Sequence, residues 1–282
     1  MKKILLTGKT GFIGRNIIEI LQKEYEVIAP TRQELDLKSL EAVTTYLKKG
    51  KFDVILHCAN PNPVKNPLDT LLDMAQDSLQ MFMNFYVNSH LYGKMLYLGS
   101  GAEYDKRRDL CLINENQINE SIPVDSYGFA KCMMNALALK SDNIYNMRIF
   151  ACYGPYDHDS KFITHAINCS LKDEAVTIRQ NCWFDYMHVE DLGKIICWAI
   201  AHDLKYHDYN ICSGKRITLK EIAEKVCEQL GNVQGISILA DGYNKEYTAN
   251  NSRFLKEIEK FEFISIDEGI AKQIEWQRSN KG

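Results

Sequence analysis

The sequence predicts an α/β protein: a Rossmann-like, doubly wound parallel sheet with a smaller, mixed α/β C-terminal substrate lobe. Three observations carry this. Short apolar runs alternate with helical repeats through the first half of the chain. Gly8, Gly11 and Gly14 link the first apolar run to the first helical repeat. Farther along, the elements become shorter and less regular.

The elements follow in order. Lys3–Thr7 is an apolar run with strand character, and Ile13, Ile17, Ile18 and Leu21 behind it recur at helical spacing. The glycines between them allow a turn with positive φ and let a pyrophosphate approach the amide-rich, positive end of the helix. Residues 25–29 read as a second strand, stopped by Pro30. Residues 40–47 read as a helix, 53–57 as a buried third strand and 68–86 as a long helix. Residues 94–98 form the fourth strand and run into Gly99, Ser100 and Gly101. Residues 105–125 are polar and read as loop, 127–140 as a helix and 144–150 as the fifth strand. The second half is expected to hold helices at Phe162–Leu171, 191–201 and Leu219–Leu230, with strands at 175–178, 209–211 and 235–239. Residues 1–155, rejoined by about 186–212, are therefore expected to form a dinucleotide-binding domain. Residues 156–185 and 213–282 are expected to form the substrate lobe.

Composition excludes several classes. With 282 residues, 45% hydrophobic and 25% charged, the chain can bury an ample core. A net charge of -3 with mixed signs offers no surface for nucleic acid or an anionic membrane. No apolar run approaches the ~20 residues that span a bilayer. The chain opens directly on a strand, without a signal-peptide pattern, so a cytoplasmic location is expected. The nine cysteines include no C-x-x-C pair and read as small buried hydrophobes. No cluster of His, Asp and Glu has metal-ligand spacing, and no metal is expected.

Tyr127 and Lys131 lie four residues apart on one helix face. A nearby cation favours the phenolate, so the spacing predicts a Tyr127 pKa lowered towards neutrality. Such a tyrosine exchanges a proton with an alcohol or ketone oxygen. Ser100, after a predicted strand, carries a hydroxyl that could hydrogen-bond the same oxygen.

The glycine turn, Ser100 and the Tyr127/Lys131 pair, in this order, resemble the extended short-chain dehydrogenase/reductase family that acts on nucleotide sugars. Further matching segments are His57-Cys58-Ala59, Arg148 with Tyr153-Gly154-Pro155, residues 185–191, 209–214 and the tail at 264–270. The resemblance implies that Tyr127 is the acid/base, that Lys131 tunes it and holds the nicotinamide ribose, and that Ser100 orients the substrate carbonyl. It implies cofactor contacts from Gly8, Thr10, Gly11, Phe12, Ile13 and Gly14, from Arg32, Asp36 and Leu37, and from His57, Cys58 and Ala59. It implies substrate contacts from Ser100, Gly101, Ala102 and Tyr127, with Phe162, Arg179 and Trp183 from the lobe. By the same analogy a homodimer is possible through the 68–86 and 131–139 helices, each of which could equally be buried within its own chain.

Dehydratases of the family carry an Asp-Glu pair directly after the hydroxyl residue. Here Gly101 and Ala102 stand there, with Glu103 one step off register. The chain looks most like the GDP-fucose synthase type, notably at 31–37. That type also epimerises, with a cysteine at the place of Ala102 and a histidine near the place of Lys161. Reduction of a C4 ketone without 3,5-epimerisation is the expectation, with a C4-epimerase retaining NAD as the alternative. Pro30, Thr31 and Arg32, with Lys9 in the glycine turn, favour NADP(H), and NAD(H) stays open. Two departures concern the substrate: Trp183 and Phe184 stand where an arginine usually clamps the diphosphate, and Ala151 where an asparagine is common. Arg179 is the candidate replacement. Trp183, Phe184 and Tyr186 form either a stacking wall for a base or packing within the lobe.

Overall fold

The computed structural model describes residues 1–61 and 71–281. β1 (Lys3–Thr7) runs into the glycine turn and α1 (Phe12–Gln22), which buries Ile17 and Leu21. β2 (Glu26–Ile28), α2 (Leu40–Gly50) and β3 (Val54–His57) follow, with the Ser39 hydroxyl accepting from the Ala42 amide to start α2. α3 (Leu71–Tyr86) comes next; the start expected at 68 lies outside the described residues. β4 (Lys94–Ser100) extends beyond its expected end and finishes on Ser100 itself. β5 (Leu110–Ile113) lies in the stretch expected to be loop. Only its end residues are buried and Leu112 has a φ of 45°, so the sequence shows no alternation there. α4 (Ser126–Ala138) and β6 (Ile144–Ile149) close the first half.

The second half begins with β7 (Ala151–Tyr153), α5 (Phe162–Leu171), β8 (Val176–Asn181) and β9 (Trp183–Phe184). β10 (Tyr186–His188), α6 (Val189–Ala201), β11 (Asp208–Ile211) and β12 (Ile217–Thr218) follow. α7 (Leu219–Leu230), β13 (Ile236–Tyr243), β14 (Tyr247–Ala249), α8 (Ser252–Leu255) and α9 (Ile266–Lys281) complete the chain. β7, β9, β10, β12 and β14 were not expected. At two or three residues each they are too short to show a period.

Six strands form one parallel sheet in the order β2-β1-β3-β4-β6-β11. The chain moves outward from β1 to β2 and then returns past β1 to β3. That reversal opens a crevice at the carboxyl ends of β1 and β3. Alternate residues feed two cores. Ile4 and Leu6 pack with Ile17, Leu21 and Leu192 on one face; Leu5 packs with Val43, Phe82 and Met134 on the other.

Smaller sheets lie apart from this one: β12-β9-β14-β5, β7 with β10, and β8 with β13. A third core gathers Tyr153, Ile163, Ile178, Ile222 and Ile270. Asp185, between β9 and β10, reaches the chain just after β11, accepting from the Ser213 amide at 2.8 Å, the Ser213 hydroxyl at 2.6 Å and the Gly214 amide at 2.8 Å. Among the described residues no helix is long and apolar enough to cross a membrane. None of their His, Cys, Asp and Glu side chains form a group of three or more able to hold a metal.

Candidate active site

β1 and β3 end side by side, Thr7 opposite His57, and the glycine turn rests on the chain leaving β3. Gly8 has a φ of 76°, and a Cβ there would lie 2.7 Å from the Ala59 nitrogen. A Cβ on Gly14 would overlap the Gly8 carbonyl oxygen. Gly11 caps α1 with no side-chain cap, and the first turn carries no acid. Open amides, missing Cβ atoms and no competing carboxylate fit the pyrophosphate of a dinucleotide. Thr10 and Gly11 are exposed, and Phe12 and Ile13 are half-buried, Ile13 against the core.

His57 shares a 2.9 Å hydrogen bond with the Thr7 hydroxyl, which also accepts from the Ala59 amide at 3.2 Å. Burial, reinforced by the Lys131 charge, pushes the imidazole down to about 3 and keeps it neutral. Burial pushes the neighbouring Cys58 thiol up.

Ser100 opens a short helical turn over Gly101–Glu103, its hydroxyl accepting from the Ala102 amide at 3.2 Å. Glu103 closes the turn by accepting from the Ser100 amide at 2.9 Å. Its other oxygen accepts from Arg148 Nε at 2.7 Å and Asn146 Nδ2 at 2.9 Å. Arg148, fully buried, also donates to Asp208 at 3.0 Å, to Tyr104 at 3.0 Å and to Asn210 at 3.1 Å. Glu103 thus points beneath the sheet's end rather than into the cleft. Burial pushes its carboxyl up, and Arg148 pulls it back.

α4 brings the phenol. Asp125 caps the helix by accepting from the Gly128 amide at 2.8 Å. Gly128 packs so closely that a Cβ would lie 2.6 Å from the Ala102 carbonyl oxygen. Tyr127 therefore faces the Ser100 hydroxyl. The lowered phenol pKa expected from sequence is overturned here. Burial raises it, the Ser100 hydroxyl only partly offsets this, and Glu103 and Asp125 add to the rise. Lys131 sits 5.9 Å from the Tyr127 ring centre, and its ammonium donates to the Leu98 carbonyl at 2.8 Å. Burial lowers Lys131 to about 8, with Glu103 opposing.

A second phenol, missed in the sequence, stands beside the first. Tyr247 pairs with Phe184 and Leu110 along its strand, and its hydroxyl interacts with Ser100. No local pattern announces it. Asp125, by contrast, had a legible signal: an N-cap residue just before a helical run.

The remaining expected contacts are scattered. Phe162 opens α5 half-buried, and Arg179 is exposed on β8. Trp183 stacks with Tyr243 at 6.2 Å and lies 4.8 Å beneath the Arg216 guanidinium, so the indole is engaged within the lobe. Arg32 is exposed beyond β2. Asp36 accepts from the Lys38 amide at 3.0 Å, and the Leu37 carbonyl accepts from Asn84 at 2.8 Å, fixing that segment against α3.

A family model described as the NAD dependent epimerase/dehydratase family matches residues 4–212. The chain belongs to this family. Its fold and glycine turn are those of an NAD(P)-dependent oxidoreductase of the extended short-chain dehydrogenase/reductase type. Among characterised relatives, this family member is 28% identical over 255 residues to GDP-L-colitose synthase of Yersinia pseudotuberculosis, covering 81% of this chain and 82% of that protein. The crystal structure of a GDP-L-fucose synthetase from Naegleria fowleri bound to NADP superposes with a TM-score of 0.86 at 16% identity, covering 99% of this chain and 93% of that one. GDP-mannoheptose C4 reductase from Campylobacter jejuni with NADP bound gives 0.83 at 20% identity, covering 98% of each chain.

Proposed function

We propose that this protein is an NADP(H)-dependent reductase converting the C4 ketone of a nucleotide-linked keto-deoxy sugar to an alcohol, without 3,5-epimerisation. The observation that carries the reading is the Tyr127 phenol facing the Ser100 hydroxyl with Lys131 beside it. Ser100 and Tyr127 hydrogen-bond the ketone oxygen, and Tyr127 gives its proton to the oxygen as negative charge develops there. The Lys131 ammonium favours the phenolate left behind. A bound nicotinamide supplies the hydride. The turn at Gly8, Gly11 and Gly14 holds the pyrophosphate, and Lys131 reaches the nicotinamide ribose. The substrate lies between residues 1–155, with about 186–212, and the lobe formed by the rest.

Absence of epimerase and dehydratase equipment supports the narrower reaction. Ala102 offers no thiol, Gly101 no acid, and Glu103 is bound to Arg148, Asn146 and the Ser100 amide. For the cofactor, the exposed Arg32, with Lys9 in the glycine turn, supplies the cations for a 2′-phosphate. Names of the similar proteins, which act on GDP-linked sugars or bind NADP, support the same reading.

A panel of keto sugar nucleotides, followed by loss of NADPH and NADH absorbance, tests this. Turnover is expected with NADPH, slower with NADH. Tyr127→Phe should lower kcat by about 10²–10⁴-fold and leave NADPH binding unchanged. Undiminished turnover in that variant would overturn the assigned roles, and tightly retained NAD in the purified protein would favour the C4-epimerase.

A further inference from the structure

Two hydroxyls that serve one oxygen need a fixed separation, and those of Ser100 and Tyr127 both take their places from the turn at Gly101–Glu103. β4 ends on Ser100, whose hydroxyl accepts from the Ala102 amide at 3.2 Å. α4 rests against the same turn: a Cβ on Gly128 would lie 2.6 Å from the Ala102 carbonyl oxygen. Tyr127 is the residue before that contact. Where the turn sits therefore decides where both hydroxyls sit.

Glu103 fastens the turn from beneath, and its carboxylate is fully buried. One oxygen accepts from the Ser100 amide at 2.9 Å. The other accepts from Arg148 Nε at 2.7 Å and Asn146 Nδ2 at 2.9 Å, both on β6. Gly99 leaves room for this grip, since a Cβ there would lie 2.5 Å from a Glu103 carboxylate oxygen and collide with the Asn146 amide. Donors on both sides require an acceptor at each end, which a carboxylate offers. An amide has one oxygen and would set its NH2 against whichever donors remain. A buried ion pair is a weak source of stability, because apolar side chains of like volume often replace it without loss. What this pair supplies is direction.

We propose that Glu103 is a positioning residue: by gripping β6 and the Ser100 amide at once, it holds the turn that sets the separation of the Ser100 and Tyr127 hydroxyls. The inference rests on the ketone-reductase reading. Glu103→Gln should lower kcat by about 10- to 100-fold, with KM for either substrate within about twofold. Glu103→Leu combined with Arg148→Met replaces the ion pair by apolar side chains, and Asp208 keeps Arg253. Its urea midpoint should lie closer to wild type than that of Arg148→Met alone, while kcat stays low. A kcat that recovers together with stability would overturn the proposal, because the pair would then serve the fold alone.

A second readout needs no substrate. In Glu103→Gln, amide hydrogen exchange should quicken by about tenfold or more at Ser100, Ala102 and Gly128, and keep its wild-type rate at the buried Leu5 and Ile55. Unchanged exchange at Ser100 and Ala102 would overturn the proposal, and so would equal quickening at Leu5 and Ile55. Local quickening alongside a wild type inert to every keto sugar supports the Glu103 anchor and sinks only the substrate reading.

Discussion

In the central sheet, Leu5 and Ile55 reach one helical layer while Ile4, Leu6 and Leu56 reach the other, so each strand is anchored by apolar area on both faces. Outside it, strands of two or three residues are tied by polar side chains to backbone as well as by smaller apolar cores. Asp185 grips Ser213 and Gly214, Asn251 donates to the Cys212 carbonyl at 3.0 Å, and Asp191 accepts from the Ile264 amide at 2.8 Å. Non-directional burial sets a rigid edge from which Ser100 and the glycine turn project. Directional hydrogen bonds instead set the wall opposite, one loop at a time. The exception lies directly under Ser100, where Arg148 brings a polar knot into the sheet.

That exception makes the sharpest test. Arg148→Met leaves the Glu103 carboxylate buried without its cation, while Asp208 keeps Arg253, and should lower unfolding free energy by about 3–5 kcal/mol in urea titrations. A loss no larger than that of a surface substitution would mean the sheet is anchored by apolar area alone. Asp185→Asn in the lobe replaces an acceptor of three hydrogen bonds by a group that also donates. It should cost about 1.5–3 kcal/mol, read the same way. If it exceeds the Arg148 change, the contrast between the two regions is reversed. The smallest effect is on rate. Lys131, lowered to about 8 by burial, carries its charge below that pH and loses it above. The kcat/KM for reduction should therefore fall above about pH 8, and the fall should vanish in Lys131→Met.

The same contrast governs what could be read from the sequence. Strands β1, β3 and β4 announce themselves because burial on both faces demands apolar runs, whereas β6 breaks its run with the buried Asn146 and Arg148. The places of Ser100 at a strand end and of Tyr127 and Lys131 on one helix were legible from the pattern. The direction of the Tyr127 shift was not, because spacing reports the neighbouring cation but not how deeply the phenol is buried. Tyr247 was invisible for a different reason: it reaches Ser100 from the far end of the chain, on a strand too short to show a pattern. Glu103 was read as a near-miss of a dehydratase acid. Its partner Arg148 lies on another strand, and only the β4–β6 pairing shows that the carboxylate is turned away.

Gly101 carries a lesson for redesign. Its backbone touches Tyr247 and Phe150 so closely that even a methyl group would collide with both rings. Converting this chain to a water-eliminating enzyme by grafting the missing aspartate at 101 therefore cannot succeed as a lone swap. The aromatic neighbour from β14 would have to shrink in the same step.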